Sequence, residues 1–316
     1  MKNEVATPPV IAVVGSAMMD LTCYADVLPA AGETSIGNSF TTGFGGKGAN
    51  QAVMANLSGA NVYMVGKVGD DLFGHSIIEN FKGQGVDTTF LNISAVATGV
   101  AHIWVDGTGE NRIIIVPGAN HEIEPSAVVE AILKIEGLQF LIGQCEIKQE
   151  ITLEAFKAAK SRGARTILNP APFQPLSSEL LALTDWLIPN EIEFSQIHEN
   201  NLLPTDDQVI TSLRPGLELV VTLGAQGAAI TDRSGRVTRI SAPKMSTVDS
   251  TGAGDCFIGA FASGLLLGLS RENAVQFGCE SASISVTRKG AQASYPSRSE
   301  ILEILERIER FESIGS

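Results

Sequence analysis

The sequence predicts an α/β fold in which a mostly parallel sheet is covered by helices on both faces. Two observations predict it. Short runs rich in Val, Ile and Leu alternate along the chain with segments of helical periodicity, and several of these runs carry apolar residues on both strand faces. The chain has 316 residues, of which 44% are hydrophobic and 18% charged, and it contains no low-complexity linker. This length permits one large domain or two ordinary ones, and we expect a single domain over residues 1–316.

The elements follow one another in a regular order. The runs predicted as strands are 10–15, 61–66, 138–143, 164–168, 185–189 and 217–223. The segments predicted as helices are 49–58, 74–84, 125–135, 152–162, 176–182, 254–267 and 271–286. A last amphipathic helix begins at Ser297, which forms a capping-box spacing with Glu300.

Two segments depart from this alternation. Segment 22–44 is rich in Gly and Thr, and the strands 99–105 and 112–116 flank a strong hairpin signal at 106–109. The first of these strands is apolar on both faces, which is unusual for a ribbon in solvent. We expect a small projecting sheet that covers a ligand with one face and meets a partner subunit with the other. An ordinary packed hairpin is the alternative.

Charge and cysteine usage exclude several classes of protein. The chain has 22 Lys and Arg against 35 Asp and Glu, a formal charge of −13, which argues against nucleic-acid and anionic-membrane partners. The first apolar run is too short for a membrane span or a signal peptide. Four scattered cysteines (Cys23, Cys145, Cys256, Cys279) form no C-x-x-C pair. We expect a reduced, cytoplasmic protein without structural zinc.

The glycine-rich run 41–48 resembles two nucleotide motifs but satisfies neither. Its glycines fit G-x-G-x-x-G, yet the stretch before them is polar and broken, whereas the dinucleotide motif needs a buried strand there. A Walker A loop fails because Thr41 stands where glycine is required and Gly48 follows Lys47. What remains is a turn that admits a ligand, with Lys47 and Asn50 at a helix start. A plain turn with a helix cap is the alternative.

The run 249–255, Asp-Ser-Thr-Gly-Ala-Gly-Asp, carries the strongest chemical signal. A buried helix begins near Gly254, so its N-terminus offers unpaired N–H groups and a positive dipole end. Gly252, Ala253 and Gly254 can direct these groups to one point as an anion hole. Asp255 in the first turn can deprotonate an alcohol beside that hole, as phosphoryl transfer requires. The alternative is that Asp255 only complements the helix dipole.

Two runs together resemble the signature regions of the ribokinase family of carbohydrate kinases: G-G-K-G-A-N-Q-A at 45–52 and the run 249–255. Further matches in family order are Asp20, Glu146, 190–193, 222–227 and 287–292. The resemblance covers nearly the whole chain and favours the ribokinase branch over fructokinases and adenosine kinases. It implies a three-layer α/β/α domain with a small β-sheet lid formed by two insertions, at about 17–46 and 97–119.

The resemblance also implies an activity and the residues that carry it. The activity is ATP-dependent phosphorylation of the 5-hydroxyl of D-ribose, with Asp255 as base and Gly252, Ala253 and Gly254 as anion hole. The residues implied for sugar binding are Met18, Asp20, Gly46, Lys47, Asn50, Glu146 and Asp255. Those implied for nucleotide binding are Asn190, Thr222, Gly224, Gly227, Gly254 and Cys279.

The resemblance further implies sites for two cations and contact with a second subunit. Glu193 would act on Mg²⁺ through water. The residues implied to hold K⁺ are Asp249, Thr251, Ser285, Arg288, Gly290 and Ser294. The lid sheet would pair two copies of the chain in a homodimer.

Two positions depart from the family pattern. Cys279 stands where His or Asn is frequent near the adenine, which leaves the nucleotide preference open. Met18 stands two residues before Asp20, where many bacterial ribokinases carry Asn. Because Met has no useful hydrogen bond for a sugar hydroxyl, we hypothesise activity on 2-deoxyribose as well as ribose. A non-catalytic sugar-binding regulator on the same fold is a further alternative.

Overall fold

The computed structural model describes residues 9–197, 217–231 and 236–315, with side chains up to residue 310. Its strands are β1 (Val10–Val14), β2 (Met18–Tyr24), β3 (Ser39–Gly45), β4 (Asn61–Gly69), β5 (Leu91–Ser94), β6 (Gly99–Val105), β7 (Asn111–Val116), β8 (Leu138–Gly143), β9 (Arg165–Leu168), β10 (Trp186–Leu187), β11 (Glu218–Thr222), β12 (Ala228–Thr231) and β13 (Val237–Ile240). Its helices are α1 (Lys47–Leu57), α2 (Leu72–Gln84), α3 (Pro125–Lys134), α4 (Gln149–Ser161), α5 (Ser178–Leu183), α6 (Glu191–Ile197), α7 (Ala253–Leu266), α8 (Arg271–Ser285) and α9 (Arg298–Gly315).

The large sheet has the order β13-β12-β11-β10-β9-β8-β1-β4-β5 within the described ranges. In this spatial order, the seven strands β11, β10, β9, β8, β1, β4 and β5 run parallel to one another. Strands β12 and β13 add an antiparallel edge. In β1, Ile11 and Val13 pack into one hydrophobic layer, whereas Val10, Ala12 and Val14 pack into the other. Helices α1, α2, α7, α8 and α9 cover the first layer, and α3 to α6 cover the second. The predicted three-layer α/β/α class is confirmed.

The parallel strands all end at one edge of the sheet, and polar residues follow several of them. Ser16 follows β1, Gln144 follows β8, Asn169 follows β9 and Asn190 follows β10 by three residues. Ligands of open α/β sheets bind at this carboxyl edge, because loops and helix N-termini converge there. The fold alone therefore predicts that a ligand site lies at this edge of the large sheet.

A second sheet of four strands has the order β3-β2-β6-β7. Strand β2 pairs antiparallel with β3 and parallel with β6, which places Asp20 level with Gly43 and Ala101. The outer strand β7 is exposed along its whole length. The fold-class prediction of a small β-sheet beside the main one is thereby confirmed, and 22–44 contributes the last three residues of β2 and all but the last residue of β3 to it.

Several predicted boundaries were wrong by a few residues. Helix α4 begins at Gln149 rather than 152, and its first two residues, Gln149 and Glu150, are polar. Helix α7 begins at Ala253 with Gly252 as its N-cap, one residue before the predicted start. Strands β5, β12 and β13 were not predicted, since each has only four residues and no long apolar run.

Candidate active site

The N-terminus of α7 is shaped by Gly252. This residue is the N-cap and adopts φ 73°, a left-handed conformation that favours glycine. A Cβ there would lie 2.9 Å from the Ala291 Cβ, so space as well as backbone conformation requires glycine. The Tyr295 hydroxyl donates a hydrogen bond to the Gly252 carbonyl over 3.3 Å. The turn that starts α7 is thus held from the side by the segment that follows α8.

The residues predicted as an anion hole lie between two cavities. The smaller, about 210 Å³, is lined by Gly252, Gly254 and Asp255, and the larger, about 700 Å³, by Ala253 and again Gly254. A Cβ on Gly254 would meet no atom within 4 Å, so this glycine leaves open space for a ligand. The Ala253 N–H donates to the Ser250 carbonyl over 3.2 Å. Gly254 therefore stands where the two cavities meet.

Asp255 is buried in the first turn of α7, with 6% of its surface exposed. Its Oδ2 accepts a hydrogen bond from Asn50 Nδ2 at 3.0 Å, and its Oδ1 accepts one from Gln51 Nε2 at 2.8 Å. Asn50 Oδ1 in turn accepts from Gln292 Nε2 at 3.0 Å. A carboxylate offers about four acceptor positions, so Asp255 keeps capacity for a substrate hydroxyl.

Close packing of α1 against α7 brings Asn50 and Gln51 to this carboxylate. A Cβ on Gly259 of α7 would lie 2.7 Å from the Gln51 carbonyl oxygen and 2.9 Å from the Ala55 nitrogen. One turn further on, Ser263 Oγ donates to the Ala55 carbonyl over 2.8 Å. The two backbones approach so closely that the first turns of both helices lie side by side.

One cation lies among several carboxylates in this region. Lys47, the first residue of α1, lines the small cavity. The Asp255 carboxylate raises the pKa of Lys47, with Glu146 and Glu193 acting in the same direction and burial opposing them. The ammonium group therefore stays charged where an anionic phosphate would enter.

Glu146 is fixed by two short contacts at the carboxyl edge of the sheet. Its Oε2 accepts hydrogen bonds from Ser16 Oγ at 2.5 Å and from the Lys47 backbone N–H at 2.8 Å. Burial raises the pKa of Glu146, although the Lys47 charge and the Ser16 hydroxyl work against this. The side chain thus joins the end of β1 to the start of α1, where Gly46 is the N-cap with φ 89°.

Asp20 reaches the site from the small sheet. A Cβ on Gly45 of the neighbouring strand would lie 2.2 Å from the Asp20 Oδ1, so only glycine leaves room for this carboxylate. Burial raises the pKa of Asp20 to about 7, and the nearby carboxylates of Glu146 and Asp255 add to the effect. These electrostatic influences place Asp20 in the same neighbourhood as the predicted base.

Met18 is buried, with 2% of its surface exposed, at the junction of the small sheet with the main domain. Its Cγ would lie 3.3 Å from a Cβ on Gly99 of the neighbouring strand. Met18 and Asp20 are two residues apart on β2 and so share one face of that strand.

The residues predicted for the nucleotide line the larger cavity. All six of them are in its lining: Asn190, Thr222, Gly224, Gly227, Gly254 and Cys279. Gly227 has φ 99°, and a Cβ there would lie 2.0 Å from the Ile240 carbonyl oxygen. Cys279, Phe257 and Val286 are among the apolar residues of this lining. A mostly apolar lining with a few polar groups suits a ligand that carries a heteroaromatic base.

Asn190 and Glu193 form a reciprocal cap at the start of α6. The Asn190 N–H donates to Glu193 Oε2 at 2.9 Å, and the Glu193 N–H donates to Asn190 Oδ1 at 2.8 Å. Both residues also line the small cavity. Burial raises the pKa of Glu193, whereas the Asn190 hydrogen bond and the Lys47 charge lower it.

The residues predicted for K⁺ lie on two adjoining loops. Asp249 Oδ1 accepts from the Thr251 N–H at 2.9 Å and from its hydroxyl at 2.7 Å, and Oδ2 accepts from the Gly290 N–H at 2.8 Å. These bonds lower the pKa of Asp249 although burial opposes them. The remaining three lie on the second segment, where Ser285 Oγ donates to the Ala282 carbonyl, Ser294 Oγ donates to the Ala291 carbonyl and Arg288 pairs with Glu300.

Four polar residues around Asp255 and Glu146 were missed as site residues by the sequence reasoning: Ser16, Gln144, Asn169 and Gln292. For the first three a signal existed, since each follows the end of a parallel strand, where side chains face the ligand edge. Gln51 was recognised only as part of the G-G-K-G-A-N-Q-A run, with no role of its own. Its contact with Asp255 depends on the packing of α1 against α7, which no local pattern reveals.

Within 9–197, 217–231 and 236–315, no helix is both long and apolar enough to cross a membrane. In the same ranges no group of three His, Cys, Asp or Glu side chains is placed to hold a metal ion.

The fold and the site together define a phosphotransferase that acts on a small alcohol. The N-terminus of a helix borders a cavity of about 700 Å³ and carries a buried carboxylate, and a second sheet places Asp20 within electrostatic reach of that carboxylate. The model of the pfkB family carbohydrate kinases matches residues 9–298. The chain belongs to that family, and the predictions of family membership and of an ATP-dependent carbohydrate kinase are confirmed.

Individual relatives agree with this assignment over nearly the full length. The chain is 42% identical to a ribokinase of Bacillus subtilis, over 93% of this chain and 99% of that protein. It is 36% identical to a deoxyribokinase of Salmonella typhimurium, over 93% of this chain and 98% of that protein. Among solved structures, an Arabidopsis thaliana ribokinase complexed with ribose and ATP superposes with a TM-score of 0.87, at 33% identity, over 95% of this chain and 99% of the other.

Proposed function

We propose that the protein is an ATP-dependent ribokinase that converts D-ribose to D-ribose 5-phosphate. The observation that carries the proposal is the position of Asp255, buried at the N-terminus of α7 where the two cavities meet through Gly254. The similarity to ribokinases at 42% and 33% identity supports ribose as the sugar.

The proposed reaction follows from the groups around Asp255. The sugar hydroxyl oxygen bonds to the γ-phosphorus of ATP while the bond from that phosphorus to the β-γ bridging oxygen breaks, so ADP leaves. The hydroxyl proton passes to the Asp255 carboxylate. N–H groups at the start of α7, with Gly254 central, and the charged Lys47 stabilise the moving phosphoryl group. Asp20 and Glu146 accept hydrogen bonds from the other sugar hydroxyls.

Mg²⁺ fits the small cavity by the chemistry of its lining. Glu193 supplies a carboxylate there, and Mg²⁺ prefers carboxylate, water and phosphate oxygens. Glu193 would hold the ion through water beside the nucleotide phosphates. When bound, Mg²⁺ supplies positive charge against the phosphate oxygens.

K⁺ is proposed for the two segments that Asp249 joins through its bond to Gly290. Asp249 supplies a carboxylate there, and hard cations prefer oxygen ligands. The residues that would hold it are those predicted: Asp249, Thr251, Ser285, Arg288, Gly290 and Ser294. Because the second loop also supports Gly252 through Tyr295, an ion there would stiffen the start of α7.

Activity on 2-deoxyribose is the second candidate. Met18, on the strand face that carries Asp20, offers no hydrogen-bond donor that a missing hydroxyl would leave unpaired. The similarity to a deoxyribokinase at 36% identity also supports it. The intact run 249–255 argues against the third alternative, a non-catalytic regulator.

The four-stranded sheet is proposed as the lid over the sugar and as the contact between two copies of the chain. Asp20 on one face supports the lid, and the exposed aliphatic strand β7 supports the contact. A cytoplasmic location is proposed on the four free cysteines, which suit a reducing compartment.

A coupled ADP-release assay with ribose, 2-deoxyribose, fructose and adenosine, with and without K⁺, tests the proposed function. We expect the highest kcat/KM with ribose and a rise with K⁺. The Asp255→Asn variant should lose at least about 10²-fold in kcat, as expected for a general base. Near-wild-type turnover by this variant would remove Asp255 from its role. A ribose preference above roughly 10⁴-fold would rule out the 2-deoxyribose activity.

A further inference from the structure

Both carboxylate oxygens of Asp255 are held by amide groups from consecutive residues of α1. Asn50 Nδ2 binds Oδ2 at 3.0 Å, and Gln51 Nε2 binds Oδ1 at 2.8 Å. Consecutive residues of a helix project about 100° apart. They converge on one carboxylate here because Gly259 lets the two helix backbones approach closely.

The orientation of the Gln51 amide is fixed at both of its ends. Its Oε1 accepts a hydrogen bond from Gln144 Nε2 at 2.7 Å, so its Nε2 must face Asp255. The same Nε2 also donates to Asn169 Oδ1 at 3.2 Å, and Asn169 Nδ2 donates to the Ile188 carbonyl at 2.9 Å. The Gln51 amide is therefore held between Gln144 and Asp255, and Asn169 beside it is anchored on the backbone that follows β10.

The two glutamines of this chain are closed to water. Gln51 is 0% exposed and Gln144 is 1% exposed. Gln144 also packs where Gly15 leaves space, since a Cβ on that glycine would lie 2.1 Å from Gln144 Oε1. Water cannot replace a lost partner in such a place, so removing one amide leaves the next polar group unpaired.

The Asp255 carboxylate lies among other acidic side chains, which explains why neutral amide groups hold it. Asp20, Glu146 and Glu193 add negative charge around Asp255, and their pKa values are all raised, chiefly by burial. Neutral N–H donors favour the charged form of a carboxylate and fix its direction without introducing a second charge that a phosphate could displace.

We propose that Gln51 is a positioning residue for phosphoryl transfer. It holds Oδ1 of Asp255, with Gln144 locking its amide from behind, and leaves Oδ2 to receive the proton of the substrate hydroxyl. The inference rests on the proposed function, because it concerns the base of that reaction. It adds a role for two buried glutamines that touch neither the sugar nor the nucleotide.

The test compares variants that preserve shape. Gln51→Met keeps the length of the side chain and removes its donors. Gln144→Met leaves Gln51 in place but frees its amide to turn. The matched control is Ser263→Ala, which removes a buried hydrogen bond between the same two helices without touching Asp255. Thermal unfolding of all three variants monitors their folding.

We expect Gln51→Met to lower kcat by about 10- to 100-fold, the range for losing one hydrogen bond to a charged group, with KM for ATP within about threefold of wild type. Gln144→Met should give a smaller loss in kcat, and Ser263→Ala should lie within about threefold of wild type. In an Asp255→Asn background, Gln51→Met should have almost no further effect on kcat, since both act through one carboxylate.

A second readout does not depend on turnover. With ¹³C-labelled aspartate, the carboxyl resonance that disappears in Asp255→Asn identifies the base. Its chemical shift, which reports the hydrogen bonds that the carboxylate accepts, should change in Gln51→Met and stay in place in Ser263→Ala. An inactive wild type would refute the proposed function while this resonance still decides the role of Gln51. An unmoved resonance, or an equal kcat loss in the Asp255→Asn background, would overturn the inference.

Discussion

At the residue scale, the proposed role of Asp20 makes sugar binding depend on pH. In that role its carboxylate form accepts hydrogen bonds from two sugar hydroxyls, but burial and the neighbouring carboxylates raise its pKa to about 7. Ribose should therefore compete with protonation. We expect the dissociation constant for ribose, measured by calorimetry without nucleotide, to be roughly 10- to 30-fold higher at pH 5.5 than at pH 8. The Asp20→Asn variant should bind ribose weakly with a flat pH profile, and a flat profile in the wild type would contradict the prediction.

The raised pKa of Asp20 also makes the free energy of unfolding depend on pH. The folded-state pKa of Asp20 lies above its ordinary value of 3.8, so its favourable contribution is complete below about pH 4 and is lost as pH rises through about 7. Asp20→Asn should therefore raise the free energy of unfolding by about 1–3 kcal/mol more at pH 8 than at pH 5. Urea unfolding at the two pH values measures this, and it separates loss of sugar binding from loss of folding.

At the scale of elements, the contact between α1 and α7 positions the site. Gly259→Ala would place a methyl group within 3 Å of the Gln51 and Ala55 backbone, so one helix must shift. We expect a loss of about 1–3 kcal/mol in the free energy of unfolding, with a fall in kcat as Asn50 and Gln51 leave Asp255. The control is Gly83→Ala on α2, where a Cβ meets nothing within 4 Å.

The control should behave in the opposite way. Alanine is favoured over glycine in an exposed helix by about 0.5–1 kcal/mol, so Gly83→Ala should gain stability and keep wild-type kcat. Chemical unfolding and the ADP-release assay measure both variants. If Gly259→Ala matched Gly83→Ala in stability and turnover, close approach of the two helices would not be what positions the base.

Elements differ in how far their sequences predict them. Long runs that are apolar on both faces, such as the one that forms β1, identify the central strands because parallel sheets bury both faces. Four-residue edge strands such as β12 carry no such pattern and depend on pairing with β11. In the site, 249–255 could be placed by local chemistry, because a glycine turn and a helix start are local. The Gln51 contact with Asp255 joins residues 204 positions apart and needs the packed helices.

At the scale of the whole molecule, the formal charge of −13 coexists with a site for an anionic nucleotide. The local charges at the site, rather than the net charge, decide whether this anion can bind. N–H groups and the dipole at the start of α7 face the cavities, and Lys47 is the cation whose charge the surrounding carboxylates maintain. Net charge thus disfavours polyanions over long range, whereas one small anion is held at short range by the backbone.

The small sheet raises the remaining question at this scale, because its outer strand β7 exposes a row of aliphatic side chains. Residues Ile113, Ile114, Ile115 and Val116 of β7 are 50%, 60%, 44% and 48% exposed. They lie on an edge strand, whose free backbone groups invite pairing. Trp104 and Phe40, on the face of Ile114, are 38% and 59% exposed. A second copy of the chain is the partner that covers this surface in the proposed function.

Sedimentation or light scattering should accordingly give a mass of about twice 33.3 kDa at micromolar concentration. Ile114→Lys places a charge in the middle of the covered surface, which costs several kcal/mol of association if the charge is buried there, so this variant should be monomeric. Leu302→Lys is the matched control, because Leu302 is 56% exposed on α9, outside the small sheet. It should remain dimeric. A monomeric wild type, or a dimer unaffected by Ile114→Lys, would mean that this sheet does not form the contact between subunits.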